Sequence, residues 1–182
     1  MPKNITLAPQ GNVKAGYVLY VMRHGLAVAR GSVRFSDDAQ RPLEPEGKAK
    51  MREIAEGLKR VGFDADWIVT SPLVRAVETA AIIAESLDSS APVDVCEAMR
   101  PGGSPEGVMA FLAKCPSRTR VLVVGHEPDL SELASRLIGA GGHANLAFKK
   151  GGCCMISFAE FPPKGPGQLE WWLTPRLLRK LR

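Results

Sequence analysis

No stretch of this 182-residue chain approaches the ~20 continuous apolar residues that a transmembrane helix needs, so no membrane association is expected. Met1 to Gly16 lacks the compact apolar core of a signal peptide. Its mixture of Lys3, Asn4, Pro9, Gln10, Gly11 and Lys14 reads as a flexible lead-in or tag remnant, and a cytoplasmic location follows as the expectation. Cysteine is scarce. The four present (Cys96, Cys115, Cys153 and Cys154) form no Cys-x-x-Cys pair, and with only three histidines available no zinc pattern emerges. A disulfide framework is not expected in a chain of this size, so the thiols are read as buried. Aromatic residues make up only 6% and do not interleave with basic ones, which argues against nucleic acid as a partner.

What is present suits one globular domain with a proper core, since 45% of residues are hydrophobic and 24% charged. The net charge of +5 and a pI near 9.2 admit an acidic partner: phosphate, an acidic protein surface or nucleic acid. Much of the excess sits in Arg176, Arg179, Lys180 and Arg182, so residues 176–182 read as a solvated basic tail after a single domain spanning 17–175.

Tyr17 to Gly25 reads Tyr-Val-Leu-Tyr-Val-Met-Arg-His-Gly. Its apolar run suits a strand buried on both faces of a parallel sheet, ending abruptly in a guanidinium, an imidazole and a glycine. A polar loop to Pro42 precedes a helix from about Glu44, with Pro45 in its first turn. Met51, Ile54, Leu58 and Val61 form its inner stripe and Gly62 its C-terminal stop. Trp67 to Thr70 is a second strand. Ser71-Pro72 predicts a helix start, serine as N-cap, for a helix reaching about Leu87. Val93 and Val95 mark a minor strand, Pro105 a third helix ending before Pro116, and Val121 to Val124 another buried strand. A fourth helix is expected over Asp129 to Ile138. Strands at Cys153 to Phe158 and Leu169 to Leu173 flank the Pro/Gly-rich stretch Pro162 to Gly167 as a hairpin. The alternation implies an α/β three-layer sandwich, with a mainly parallel central sheet flanked by helices.

Three strands therefore end in residues suited to phosphate chemistry: Arg23-His24, Thr70 with Arg75 one helical turn on, and Gly125-His126. Carboxyl ends of parallel strands share one edge of a sheet, where ligands bind, so these groups can converge. Singly, each has a plainer use. Arg75 and Glu78 are helical neighbours, Arg23 suits a surface ion pair, and His126 could cap the following helix. His143, in a Gly-Gly-His loop, reads as surface.

Arg23-His24-Gly25, Ser71-Pro72-Leu73-x-Arg75-Ala76-x-x-Thr79-Ala80 and Gly125-His126-Glu127-Pro128 resemble the signature blocks of the histidine phosphatase superfamily, the phosphoglycerate-mutase-like proteins. The Asp38-x-x-Arg41-Pro42-Leu43 segment, the small size and the ending Trp172-Leu173-Thr174-Pro175 are similar to the SixA type of phosphohistidine phosphatase. The resemblance spans about Val18 to Pro175. It implies His24 as a nucleophile phosphorylated during turnover. Arg23, Arg75 and His126 would clamp the phosphoryl oxygens, and Arg41 would add a further basic contact. Phosphate or sulfate would occupy such a pocket, and no metal or other cofactor is called for.

Superfamily members acting on phosphate esters commonly use a carboxylic acid to protonate the leaving alkoxide. The corresponding region here, Val95 to Gly103, holds Glu97 out of register and Arg100-Pro101 where the acid would fall. Asp38 is the other candidate, whereas Glu106 and Glu127 read as helix-start residues. An imidazole, with a pKa near ~6.5, departs more readily than an alkoxide. The weak acid region thus favours phosphohistidine on a phosphotransfer (signalling) protein as substrate. Two readings stay open beside it: a phosphatase for small molecules or other phosphomonoesters, and a non-catalytic phosphoprotein-binding module.

Overall fold

The computed structural model describes residues 16–141 and 144–182. The expected lead-in, apart from Gly16, and the surface reading of His143 lie outside the described residues. The chain forms one six-stranded mixed sheet, built on β1 (Tyr17–Arg23), β2 (Trp67–Thr70), β3 (Val93–Val95), β4 (Arg120–Gly125), β5 (Cys153–Phe158) and β6 (Gln168–Leu173). Their spatial order is β3-β2-β4-β1-β5-β6. The first four in that order are mutually parallel; β5 runs antiparallel to both β1 and β6.

Alternation along β1 explains why its apolar run is unbroken. Tyr17, Leu19 and Val21 enter a core shared with Val108, Leu112, Leu130, Leu133 and Leu137 on one side of the sheet. Val18, Tyr20 and Met22 enter a second core with Met51, Ile54, Leu58, Ala80 and Ile83 on the other. A strand covered on both faces must be apolar at every position, because successive side chains point to opposite sides. The helices supplying the covers are α1 (Pro45–Arg60) and α2 (Val74–Ser86) on one face, and α3 (Pro105–Leu112) and α4 (Asp129–Leu137) on the other.

Local signals account for most helix limits. Pro45 opens α1, and Gly62 follows its end with φ +75°, the left-handed conformation that a glycine adopts without a Cβ penalty. Ser104 caps α3 by accepting from the Gly107 N–H at 3.0 Å. One helix start is corrected. The second helix begins at Val74 with Leu73 as N-cap, not at Ser71. The Ser71 hydroxyl accepts only a long 3.4 Å bond from the Leu73 N–H and is engaged elsewhere.

The basic C-terminus is also not a solvated tail. Pro175–Leu181 is a helix, α5, capped by the Thr174 hydroxyl, which accepts from the Leu177 N–H at 3.4 Å. Leu178 is fully buried against α1, and burying a leucine contributes about 1.5–3 kcal/mol. Gly57 of α1 allows the close approach: a Cβ there would lie 2.0 Å from the Leu178 carbonyl oxygen. Arg179 and Arg182 both pair with Glu53, so two of the positive charges have a partner on α1. Among the thiols Cys96, Cys153 and Cys154 are buried, whereas Cys115, in the turn after α3, is exposed. No helix among the described residues is long and apolar enough to cross a membrane.

Candidate active site

The strand register brings the three sequence blocks level. Arg23 of β1 lies opposite Gly125 of β4, and Thr70 of β2 lies opposite Val124. The His24 N–H then donates to the Gly125 carbonyl at 3.1 Å and the Ser71 N–H to that of Val124 at 3.0 Å. The residue after each strand is thereby delivered to the same edge. A cavity of about 430 Å³ opens there, lined by Arg23, His24, Arg30, Arg41, Arg75, His126, Glu127 and Lys150, with Ala27 to Ala29 and Pro101. A second cavity of about 400 Å³ lies at the opposite edge. Its two guanidiniums are engaged with carboxylate and backbone: Arg120 with Asp64, and Arg118 with the Asp66 carbonyl. Of these two, only the first is lined by side chains whose buried polar atoms lack partners among the described residues.

His24 is buried, and its Nδ1 lies 2.8 Å from the Gly25 carbonyl oxygen. A carbonyl only accepts, so Nδ1 carries the hydrogen and Nε2 keeps its lone pair. Burial pushes the His24 pKa down to about 3. The bond to Gly25 opposes this, and the charges of His126, Arg75 and Arg23 reinforce it. The backbone holding the imidazole is itself braced. The Gly25 N–H donates to Thr79 Oγ1 at 3.0 Å, and the Thr79 hydroxyl donates to the Arg75 carbonyl at 2.7 Å. A Cβ on Gly25 would lie 2.8 Å from Met51 Cγ, so the glycine is what lets this loop lie against α1.

His126 stands beside it, with ring centroids 5.0 Å apart. Its Nε2 lies 2.8 Å from the Ser71 hydroxyl, leaving the buried Nδ1 without a partner among the described residues. Burial lowers the His126 pKa to about 3, with Arg75 adding to the effect and Asp38 opposing it. Arg23 donates from Nη1 to the Phe148 carbonyl at 2.7 Å, and Arg75 donates to the Asp38 carbonyl at 2.8 Å and to Asp38 Oδ2 at 3.1 Å. The Nε atoms of both arginines are buried and lack a partner among the described residues. Three orphaned polar nitrogens (Arg23 Nε, Arg75 Nε and His126 Nδ1) thus belong to side chains lining one cavity around His24. Buried polar groups left unpaired cost about 1–3 kcal/mol each, and a tetrahedral oxyanion would satisfy them together when the Ser71 hydroxyl donates to His126 Nε2 and Nδ1 carries the hydrogen.

The acid candidates behave differently from expectation. Asp38 is not free to donate a proton. Partial burial would raise its pKa, but the hydrogen bond from Arg41, the charge of Arg75 and the hydrogen bond from Arg30 outweigh that and hold it below the usual carboxylate range. Arg41 and Arg30 reach its Oδ1 at 2.9 and 3.0 Å, so Asp38 is an ionised bridge among three guanidiniums. Glu97 is exposed and pairs with Arg100 at 2.5 Å, outside the cavity lining; only Pro101 of that segment reaches it. Arg41, expected as a further basic contact, does line the cavity. Glu106, read as a helix-start residue, lies in the first turn of α3 and pairs with Arg136. Glu127 lines the cavity rather than merely leading into α4, a placement its sequence position did not reveal. Ser71 is likewise the partner of His126 and not a helix cap, because its hydroxyl faces β4 across the sheet edge. Among the described residues no group of three or more histidine, cysteine or carboxylate side chains is arranged as metal ligands would be.

A site with a buried neutral histidine among arginines, at the carboxyl edge of this sheet, defines a class, and the comparisons agree. The family model of the Histidine phosphatase superfamily (branch 1) matches residues 19–101. An uncharacterized protein of Picosynechococcus is 35% identical over 137 residues, covering 74% of this chain and 81% of that protein. The chain belongs to the histidine phosphatase superfamily, and its mixed sheet flanked by helices is the phosphoglycerate-mutase-like fold. Within the superfamily it is similar to the phosphohistidine phosphatase SixA of Escherichia coli, 25% identical over 159 residues, 86% of this chain and 93% of that one. The solved structure of the protein histidine phosphatase SixA complexed with tungstate superimposes with a TM-score of 0.76 at 25% identity, covering 88% of this chain and 99% of that chain.

Proposed function

We propose that this protein is a phosphohistidine phosphatase, which takes a phosphoryl group onto His24 from phosphohistidine on a histidine-containing phosphotransfer protein and then hydrolyses it. The observation that carries this reading is His24 itself, an uncharged imidazole with Nδ1–H held by the Gly25 carbonyl and Nε2 free to attack. The orphaned nitrogens of Arg23, Arg75 and His126 suit the three oxygens of a transferring phosphoryl group. The oxyanion named in the related SixA structure, tungstate, is tetrahedral like phosphate, which supports the same use of this pocket.

In the first step Nε2 of His24 forms a bond to phosphorus as the bond from phosphorus to the substrate nitrogen breaks. A phosphohistidine protonated on its other ring nitrogen leaves as neutral imidazole and asks no proton of the enzyme. In the second step water attacks the phosphoryl-His24, giving inorganic phosphate and regenerating the imidazole. Asp38 favours a P–N substrate over a phosphoester, because its carboxyl is ionised and occupied by arginines rather than protonated toward a leaving alkoxide.

The test is to incubate the protein with a phosphorylated phosphotransfer domain and with a generic phosphoester, and to follow label on His24. Acid-labile, base-stable label together with faster turnover of the phosphoprotein is expected. Faster turnover of the phosphoester would point to a phosphomonoesterase. Absence of label with every donor, and no loss of function in His24→Ala, would leave only a phosphoprotein-binding module. Inorganic phosphate, sulfate and tungstate are expected to compete with substrate.

A further inference from the structure

A carboxylate lining a pocket for a phosphoryl group is unfavourable on its face, since it repels the ligand and offsets the surrounding cations. Glu127 does this, and its contacts show what it does instead. Both of its oxygens accept from the Ser131 hydroxyl, at 2.8 and 2.7 Å, and Oε1 also accepts from the Phe148 N–H. The peptide on the other side of Phe148 ends in the carbonyl that accepts from Arg23 Nη1 at 2.7 Å. Glu127 and Arg23 therefore grip the same residue, one at its N–H and the other at its C=O.

Phe148 belongs to residues 144–152, ahead of β5, where backbone geometry is not set by a helix or sheet ladder. Its far end is tied to the nucleophile strand. The Gly151 N–H donates to the Arg23 and His24 carbonyls at 3.0 and 3.2 Å, and the Arg23 N–H donates to the Gly152 carbonyl at 3.1 Å. Its near end rests on the buried Phe148 ring, packed 3.9 Å from Trp172, and on Glu127. Without the carboxylate, the Phe148 N–H loses its acceptor, and the backbone leading into the next peptide, whose carbonyl meets Arg23, loses the hydrogen bond that holds it from that side.

We infer that Glu127 is a positioning residue: through the backbone on the two sides of Phe148 it aims the Arg23 guanidinium at the phosphoryl group. This rests on the proposed phosphoryl pocket, and a direct phosphate-binding readout separates the two ideas. Misplacement of a clamp by about 1 Å can cost on the order of 10²-fold, so Glu127→Ala is expected to lower kcat/KM by about 10- to 100-fold. It should also weaken inorganic phosphate binding by about tenfold. Glu127→Asp keeps the charge but not the reach and should lose as much, whereas Glu127→Gln keeps an acceptor for the Phe148 N–H and should recover most of the loss.

The decisive measurement is the double-variant cycle. With Arg23 already replaced by Ala, Glu127→Ala should cost little more, in phosphate affinity as in turnover, because the two act as one unit. Fully additive losses, or unchanged phosphate affinity in a folded Glu127→Ala or Glu127→Asp protein, would overturn the inference. A loss that steepens with leaving-group pKa would instead make Glu127 the proton donor and also overturn it. If phosphate affinity follows the cycle while no phosphohistidine is turned over, the positioning role stands and the proposed function fails.

Discussion

Acidifying the protein from pH 7.5 to about pH 5, in a buffer free of phosphate and sulfate, probes the two histidines at the heart of the site. His24 and His126 are held neutral, with pKa values lowered to about 3 by burial and by neighbouring positive charge. In the unfolded chain each would titrate near ~6.5. Between those values the unfolded state binds more protons than the folded one, so stability must fall as pH falls. The full contribution is present above the unfolded pKa and is lost progressively below it, at about 1.4 kcal/mol per pH unit for each histidine. At pH 5 each accounts for about 2 kcal/mol, about 4 kcal/mol together, a large part of the ~5–15 kcal/mol typical of a domain. Asp38, whose pKa is depressed, begins to lose its contribution only as pH falls through the usual carboxylate range, below this window.

Urea denaturation at several pH values would read the slope directly. Wild-type stability should drop by about 4 kcal/mol over the interval, each of His24→Asn and His126→Asn should recover about half, and the double variant should be nearly flat. A wild-type profile flat from pH 7.5 to 5, or a slope unchanged in the double variant, would refute the claim that both imidazoles are buried uncharged. The same chemistry predicts that kcat/KM for the free enzyme shows no acid limb near pH 6.5 from His24, because its imidazole is already unprotonated there.

Asp38→Asn should reduce kcat/KM by about tenfold or more, through disordered Arg75 and Arg41, and by the same factor for good and poor leaving groups; a loss that grows with leaving-group pKa would mark Asp38 as an acid after all. Glu97→Gln should leave turnover within about twofold of wild type in the same assay, since its exposed carboxylate touches only Arg100. Ser71→Ala should leave His126 Nε2 unpaired, costing about 1–3 kcal/mol in stability and weakening phosphate binding measured by titration calorimetry. Gly57→Ala places a Cβ against the Leu178 carbonyl and should destabilise by about 1–3 kcal/mol in urea, with protease sensitivity appearing first in α5.

Much of this was legible in the chain because parallel sheets impose a severe pattern. A strand covered on both faces must be apolar throughout, so Tyr17 to Met22 and Val121 to Val124 declare themselves, and the residue that breaks each run marks the carboxyl edge. Arg23, His24 and His126 could be assigned to one edge on that logic alone. Pro45 and Gly62 likewise bracket α1 through backbone preferences that operate within a turn. What failed to show were contacts between residues far apart in sequence. Ser71 has the local chemistry of an N-cap, and only the insertion of β4 beside β2 offers its hydroxyl a histidine. Asp38 has the chemistry of an acid until Arg30, Arg41 and Arg75 surround it. Residues 176–182 look like a charged tail until Gly57 admits Leu178 against α1.

The sequence by itself therefore determined the layered α/β fold, the strand ends and the basic and imidazole side chains that stand there. Each of these follows from periodicity, turn chemistry or residue type at a strand terminus. Only the tertiary structure decided the state of those groups: which histidine nitrogen is free, which carboxylate is consumed by guanidiniums, and how Glu127 grips the N–H side of Phe148. Protonation and aim depend on burial and on neighbours more than a hundred residues away in the chain, as Arg23 and Phe148 are, and no local pattern encodes them.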